Sequence, residues 1–293
     1  MYKLHDWIDE QNLHIIELSR NIHPGAMDLI TKNKRISLKW VDGLHLSENP
    51  NALSFLEQNP EKIDWIYLSA NPNALPLLEK NPEKIVWNNL SVNPNAIHLL
   101  EKNPDKIVWN TLSLNPNAIH LLEQNPEKIS WVCLSRNPSA IHLLEQNPVK
   151  IDWLYLSANP AAIHLLSQNL EKVDWEKISE NPNGIPLLEK NLDKIDWSAL
   201  SYNPNAIHLI EKNPEKINWY GLSLNPNALH ILQQNQDKII WSFLSQNPGI
   251  FTYDYEAMYK RNAPLKEELM SVMFHPKNYG KFVSWGFDEF APL

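Results

Sequence analysis

Apolar and polar positions recur along this chain with one period from Asn49 to Gln246. The phrase Asn115-Pro-Asn-Ala-Ile-His-Leu-Leu-Glu-Gln-Asn-Pro-Glu-Lys-Ile-Ser-Trp-Val-Cys-Leu-Ser-Arg136 shows it in full. Asn-Pro opens a unit at Asn49, Asn71, Asn93, Asn115, Asn137, Asn159, Asn181, Asn203 and Asn225 and returns at Asn247, so nine complete units of equal length follow one another. The opening Asn reads as a helix N-cap and the Pro after it as the first helical residue, where a missing N–H costs nothing. Ala118, Ile119, Leu121 and Leu122 then fall on one arc of a helical wheel, with Asn117, His120, Glu123 and Gln124 on the other, which predicts an amphipathic helix A of about nine residues. A second Asn, as in Asn59, Asn81, Asn103 and Asn125, ends it. Ile129 and Trp131 are too close in sequence to share one face of a regular helix. The pattern therefore predicts a short turn of helix at Pro126 to Lys128. A short helix B follows, starting near Ser130, or near the Asp that replaces it in Asp64, Asp152, Asp174 and Asp196, and closing on Ser135.

Strict spacing implies stacking, because a slip of one residue would rotate a helix surface by about 100° and misplace its apolar face. One unit cannot bury its faces alone, so each must be covered by a neighbour. The fold class expected is all-α: a single α-solenoid domain over residues 1–293, an open array about 90–100 Å long if layers stack at helix-packing distance. Residues 1–48 read as an N-terminal cap with degenerate repeats, 49–246 as the nine repeats and 247–293 as a C-terminal helical cap. In the first cap, Trp7 with Leu18-Ser19-Arg20-Asn21 echoes half a unit, and His23-Pro24 begins another whose register is broken by an insertion near Ser37 to Gly43, with Trp40 one place late. The last cap predicts two or three longer helices ending near Gly286, with Trp285-Gly286-Phe287 packed against the final repeat.

Composition narrows the function classes. A net charge of −8 argues against a protein whose overall field gathers nucleic acid or coats an anionic membrane. Cys133 is the single cysteine and cannot form an internal disulfide, and the residues after Met1 lack a signal-peptide core, which together point to a reducing, intracellular home. No apolar run approaches the roughly 20 residues that span a bilayer. There is no Gly-rich phosphate loop, no metal-spaced His pair, and no nucleophile beside a base, so the expectation is not an enzyme, with no cofactor, metal or small-molecule substrate.

Three columns carry chemistry. The histidines His98, His120, His142, His164, His208 and His230 could bind metal or titrate, but Ser54, Pro76 and Pro186 hold the same place, and stacked layers lie too far apart for shared ligation. They read as half-exposed surface residues. The nine Trp from Trp65 to Trp241 could stack bases or sugars; the packing argument assigns them to the core between layers. The nine Lys from Lys62 to Lys238 could track phosphates one per unit, or serve as ordinary surface charges beside the acids that precede most of them. Variation concentrates on one face of helix B. Tyr67, Asn89, Thr111, Arg136, Tyr155, Lys177, Tyr202, Tyr220 and Phe243 make that face the candidate partner-binding surface, the alternative being exposed positions that vary without constraint.

The repeat phrase, with the ending Tyr253-Asp-Tyr-Glu-Ala-Met, His275-Pro-Lys-Asn and Trp285-Gly-Phe, resembles the short tandem-repeat proteins encoded in multiple copies by giant DNA viruses of the mimivirus kind. The resemblance covers about residues 45 to 293. It implies a viral protein of the infected-cell cytoplasm or the virion and carries no established activity or catalytic residues. The functional expectation is a scaffold for protein–protein interaction, self-association or viral assembly. The alternative is a nucleic-acid-binding solenoid that reads one unit per repeat through the Lys column and the variable face.

Overall fold

Each unit in the computed structural model is a helix A of four to six residues, a three-residue 3-10 helix and a short helix B, as in Ile119–Gln124, Pro126–Lys128 and Trp131–Ser135. The structure describes residues 1–32, 43–273, 275 and 277. The expected insertion near Ser37 and Trp40, and the Trp285-Gly286-Phe287 contact, lie outside the described residues.

Helix A is shorter than the sequence pattern suggests. The opening Asn caps a turn rather than the helix: Asn115 Oδ1 accepts the N–H of Asn117 at 3.0 Å, and Ala118 N–H returns to Asn115 O at 3.2 Å. Pro116 and Asn117 are spent in that turn, so helix A starts at Ile119. The second Asn ends it as expected, with φ −134° and its Nδ2 donating to the Leu121 carbonyl four residues back at 2.9 Å. Helix B starts on a real cap where Asp is present: Asp64 Oδ1 accepts from Ile66 N–H at 2.9 Å.

The core is made of leucines and alanines. Leu122 of helix A, Leu134 of helix B and Ala118 are fully buried, as are their counterparts in most units. The tryptophans are not core: from Trp65 to Trp241 all nine are half-buried. At the start of helix B the indole sits at the edge of the layer, where only part of its area meets protein. The core position one turn on, Leu134, is too tightly enclosed for an indole.

Contacts divide the chain into two compact units, Met1–Leu4 with Phe251–Leu293, and His5–Ile250. In the first, strand β1 (Tyr2–Leu4) pairs antiparallel with strand β2 (Phe251–Tyr253), and the Tyr2 and Tyr253 rings lie 5.3 Å apart. Asp254 Oδ1 then accepts the N–H of Ala257, and one helix runs from Tyr255 to Met273. Pro264 lies inside that helix. Its missing N–H frees a carbonyl that water can satisfy on an exposed helix.

The second unit does not form an open rod. It closes on itself. The carbonyls of Ser113 and Asn115 accept from Asn137 Nδ2, those of Ser91 and Asn93 accept from Asn115, and the pattern continues from unit to unit. At the end of the series Asn21 Nδ2 donates to Ser245 O and Asn247 O at 3.0 and 2.8 Å, the same pair of bonds made across 224 and 226 residues. The unit that completes the circle is split between the two ends of the repeat region. Pro248–Ile250 supplies its opening, and Glu10–Asn12 with Ile15–Leu18 supplies its 3-10 helix and helix B. Among the described residues, opening-Asn amides from Asn21 to Asn247 make eleven rungs, so the mean rotation is about 33° per unit, the closure condition for a heterologous ring.

Candidate functional site: the inner wall of the ring

Which layer faces inward follows from spacing. Neighbouring B helices pack closely at most junctions of the circle, including Ile15–Leu18 against Trp241–Gln246, whereas neighbouring A helices stand further apart. In a closed ring the more tightly spaced layer has the smaller radius, so the B helices form the inner wall. With layers about 8–10 Å apart and helices about 10–12 Å thick, eleven units leave a bore of roughly 16–24 Å.

On helix B, the second, third and sixth residues lie opposite Leu134, which faces helix A. These are the variable positions, so every candidate residue belongs to one band around the bore. Tyr155, Tyr220 and Arg136 are exposed, and Tyr67, Asn89, Thr111, Lys177, Tyr202 and Phe243 are half-buried against neighbours. Tyr220 meets Phe243 edge to face at 5.6 Å, and Thr111 Oγ1 reaches Asn88 Oδ1 at 3.4 Å. Tyr202 packs where Gly221 stands in the next unit: a Cβ at Gly221 would lie 2.7 Å from the Tyr202 ring. The structure brings Arg136, Tyr155 and Lys177 together in a groove of about 520 Å³, to which Leu154, Ala158 and Glu180 also contribute. The other six candidates lie elsewhere on the band.

Charges on this wall are mixed. Arg20 and Arg136 share it with Glu17, Glu48, Glu176 and Glu180, and Lys177 is held by Glu176 at 2.8 Å. That bond raises the Lys177 pKa above its ordinary value. The Lys column lies elsewhere, in the turn between helix A and helix B. Lys128 Nζ sits 4.5 Å from the Trp109 ring centre of the preceding unit, and Lys150, Lys172, Lys216 and Lys238 repeat the arrangement. At these five junctions the tempting Trp and Lys columns are two halves of one tie between units. The His column is another: His120 Nε2 meets Glu101 Oε1 at 3.0 Å, and His98, His142, His164, His208 and His230 each meet the Glu of the preceding unit.

Sequence reasoning overlooked the Ser and Asn columns as ties between units. Ser113 Oγ donates to Trp109 O and accepts the N–H of Ser130 in the next unit, while fully buried. Their signal was present: a Ser and an Asn repeated in every unit at positions that the packing leaves no room to expose. Among the described residues, no helix is long and apolar enough to cross a membrane, and no cluster of His, Cys, Asp and Glu is arranged to hold a metal. No known family model, curated protein or solved structure matches the chain.

Proposed function

We propose that the protein is a non-enzymatic scaffold that binds a protein partner, or a second copy of itself, through the inner wall of the ring. The observation that carries this reading is the coincidence of the variable band with that wall. The scaffold residues repeat while the bore-facing residues change, and a binding surface read by side-chain identity requires that division. Exposed Tyr155 and Tyr220, with Tyr202 and Phe243, supply aromatic anchors of the kind that dominate protein interfaces. Mixed charge on the wall and the Lys ammonium groups stacked on Trp rings favour this partner class over a phosphate backbone. With the resemblance of the repeat phrase to giant-virus proteins, the reading extends to a viral protein acting in the infected-cell cytoplasm or in the virion.

The test is affinity capture and light scattering of the full chain against the double variant Tyr155→Asp, Tyr202→Asp. Loss of captured partner or of oligomer mass with helicity unchanged is the expected result. Unchanged capture and mass would sink the proposal. A gel shift of random single and double strands that disappears with Lys106→Glu, Lys128→Glu and Lys150→Glu would replace it with nucleic-acid binding.

A further inference from the structure

One junction in the ring departs from its neighbours. Between the units opening at Asn93 and Asn225, the five other links all hold both a His–Glu pair and a Lys–Trp stack, as in His142 with Glu123 and Lys150 over Trp131. The link between the units opening at Asn159 and Asn181 holds neither. Ser167 and Pro186 stand where Glu and His stand elsewhere, and Lys194 pairs with Asp193 at 3.5 Å instead of covering Trp175. Asn181 Nδ2 donates to Ser157 O at 3.0 Å, without the second bond to the neighbouring Asn carbonyl that the other rungs make. Gly184 takes the usual Ala place, and a Cβ there would meet the Ile178 carbonyl oxygen at 2.3 Å. Scaffold ties have been given up where the inner-wall groove opens.

The groove has a definite chemistry. Its floor is Leu154, Tyr155 and Ala158, with Leu154 and Tyr155 exposed. Arg136 stands at one end, exposed, and its guanidinium makes no hydrogen bond or ion pair among the described residues. Glu180 stands at the other end, two units on. Between them Lys177 is already committed to Glu176. Two layers at helix-packing distance separate the ends by about 16–20 Å, the span of five or six extended residues.

Resting on the inner-wall reading above, we propose that this groove docks an extended peptide segment of a partner protein carrying a carboxylate, an apolar or aromatic anchor, and a cation, in that order over about six residues. The carboxylate pairs with Arg136, the anchor lies on Leu154 and Tyr155, and the cation meets Glu180. Arg is suited to the first contact because its planar fork accepts a carboxylate bidentately.

Three fluorescein-labelled hexapeptides with a central Leu-Phe test the assignment by anisotropy: one ending in Asp and Lys, one in Asp at both ends, one in Lys at both ends. The full-length ring should bind the mixed peptide about tenfold more tightly than either other, since matched charges set specificity. Arg136→Glu should transfer the preference to the Lys-ended peptide, and Leu154→Asp should weaken all three. Circular dichroism on both variants separates binding loss from unfolding. Equal affinity for the three peptides, no binding, or a preference unmoved by Arg136→Glu would overturn the groove assignment. If that happens while Tyr155→Asp with Tyr202→Asp still abolishes partner capture, the inner-wall reading survives and only this ligand falls.

Discussion

The side-chain amide of Asn21 donates to the carbonyl oxygen of Asn247 at 2.8 Å, although 226 residues separate them. The same amide serves Ser245 O, and His14 N–H donates to Ser245 Oγ at 2.8 Å, which repeats the bond from Ser130 N–H to Ser113 Oγ. The ring is therefore sealed by bonds of the kind that hold its other units together. No covalent connection spans the seam.

Asn21→Ala should open the ring. Two buried carbonyls lose their donor, at about 1–3 kcal/mol each, and no chain continuity holds the seam. Hydrogen exchange in Trp241–Gln246 should accelerate and the radius of gyration by X-ray scattering should rise. Asn115→Ala removes the equivalent pair of bonds inside a continuous chain, so it should lower stability with little change in radius. Equal behaviour of the two variants would contradict a sealed ring.

Ser135→Ala leaves the N–H of Asp152 without its acceptor at 3.0 Å, in a place where the serine is fully buried. A loss of about 1–3 kcal/mol is expected in urea unfolding. Ser→Ala at exposed Ser198 should be near neutral by the same measurement.

Acrylamide should quench most of the tryptophan fluorescence of the native ring, because the nine repeat indoles are half-buried rather than enclosed. Replacing Lys128 by Met removes the cation over Trp109 and should cost about 0.5–1 kcal/mol. Resistance to quenching would return the indoles to the core.

His23 gives the seam a pH dependence. Partial burial lowers its pKa below 6.5, and its Nδ1 accepts the N–H of Gly25 at 3.0 Å, which requires the unprotonated nitrogen. The unfolded chain then binds the proton more readily than the folded one. The stabilisation is complete above pH 6.5 and is lost as pH falls through the depressed folded value. His23→Asn keeps an acceptor at that place without the titration, so its melting temperature should fall less steeply than the wild type's below pH 6.5.

The legible part of the fold was local. Asn125 ending helix A, the 3-10 helix Pro126–Lys128 and the Asp64 cap all follow from a few neighbouring residues and their backbone preferences. The candidate face was legible as well, because the second, third and sixth residues of helix B share an arc whatever the helix packs against. That Arg136, Tyr155 and Lys177 meet in one groove was not, since they come from three successive units and their approach depends on how those units are angled. Trp131 and Leu134 look alike as apolar positions, and only the enclosure around each separates an edge residue from a core one.

By itself, then, the sequence determined the repeating unit, its two helices, its register and the face on which it varies, because each depends on contacts within one unit or on strict spacing. Tertiary structure decided that the array closes. Closure depends on a small rotation per unit, set by the difference in spacing between the A and B layers and summed over eleven units. A periodic sequence states the period and leaves that angle to packing. Closure in turn put the variable face on the inside of a ring and set residues 10–20 beside Trp241–Gln246.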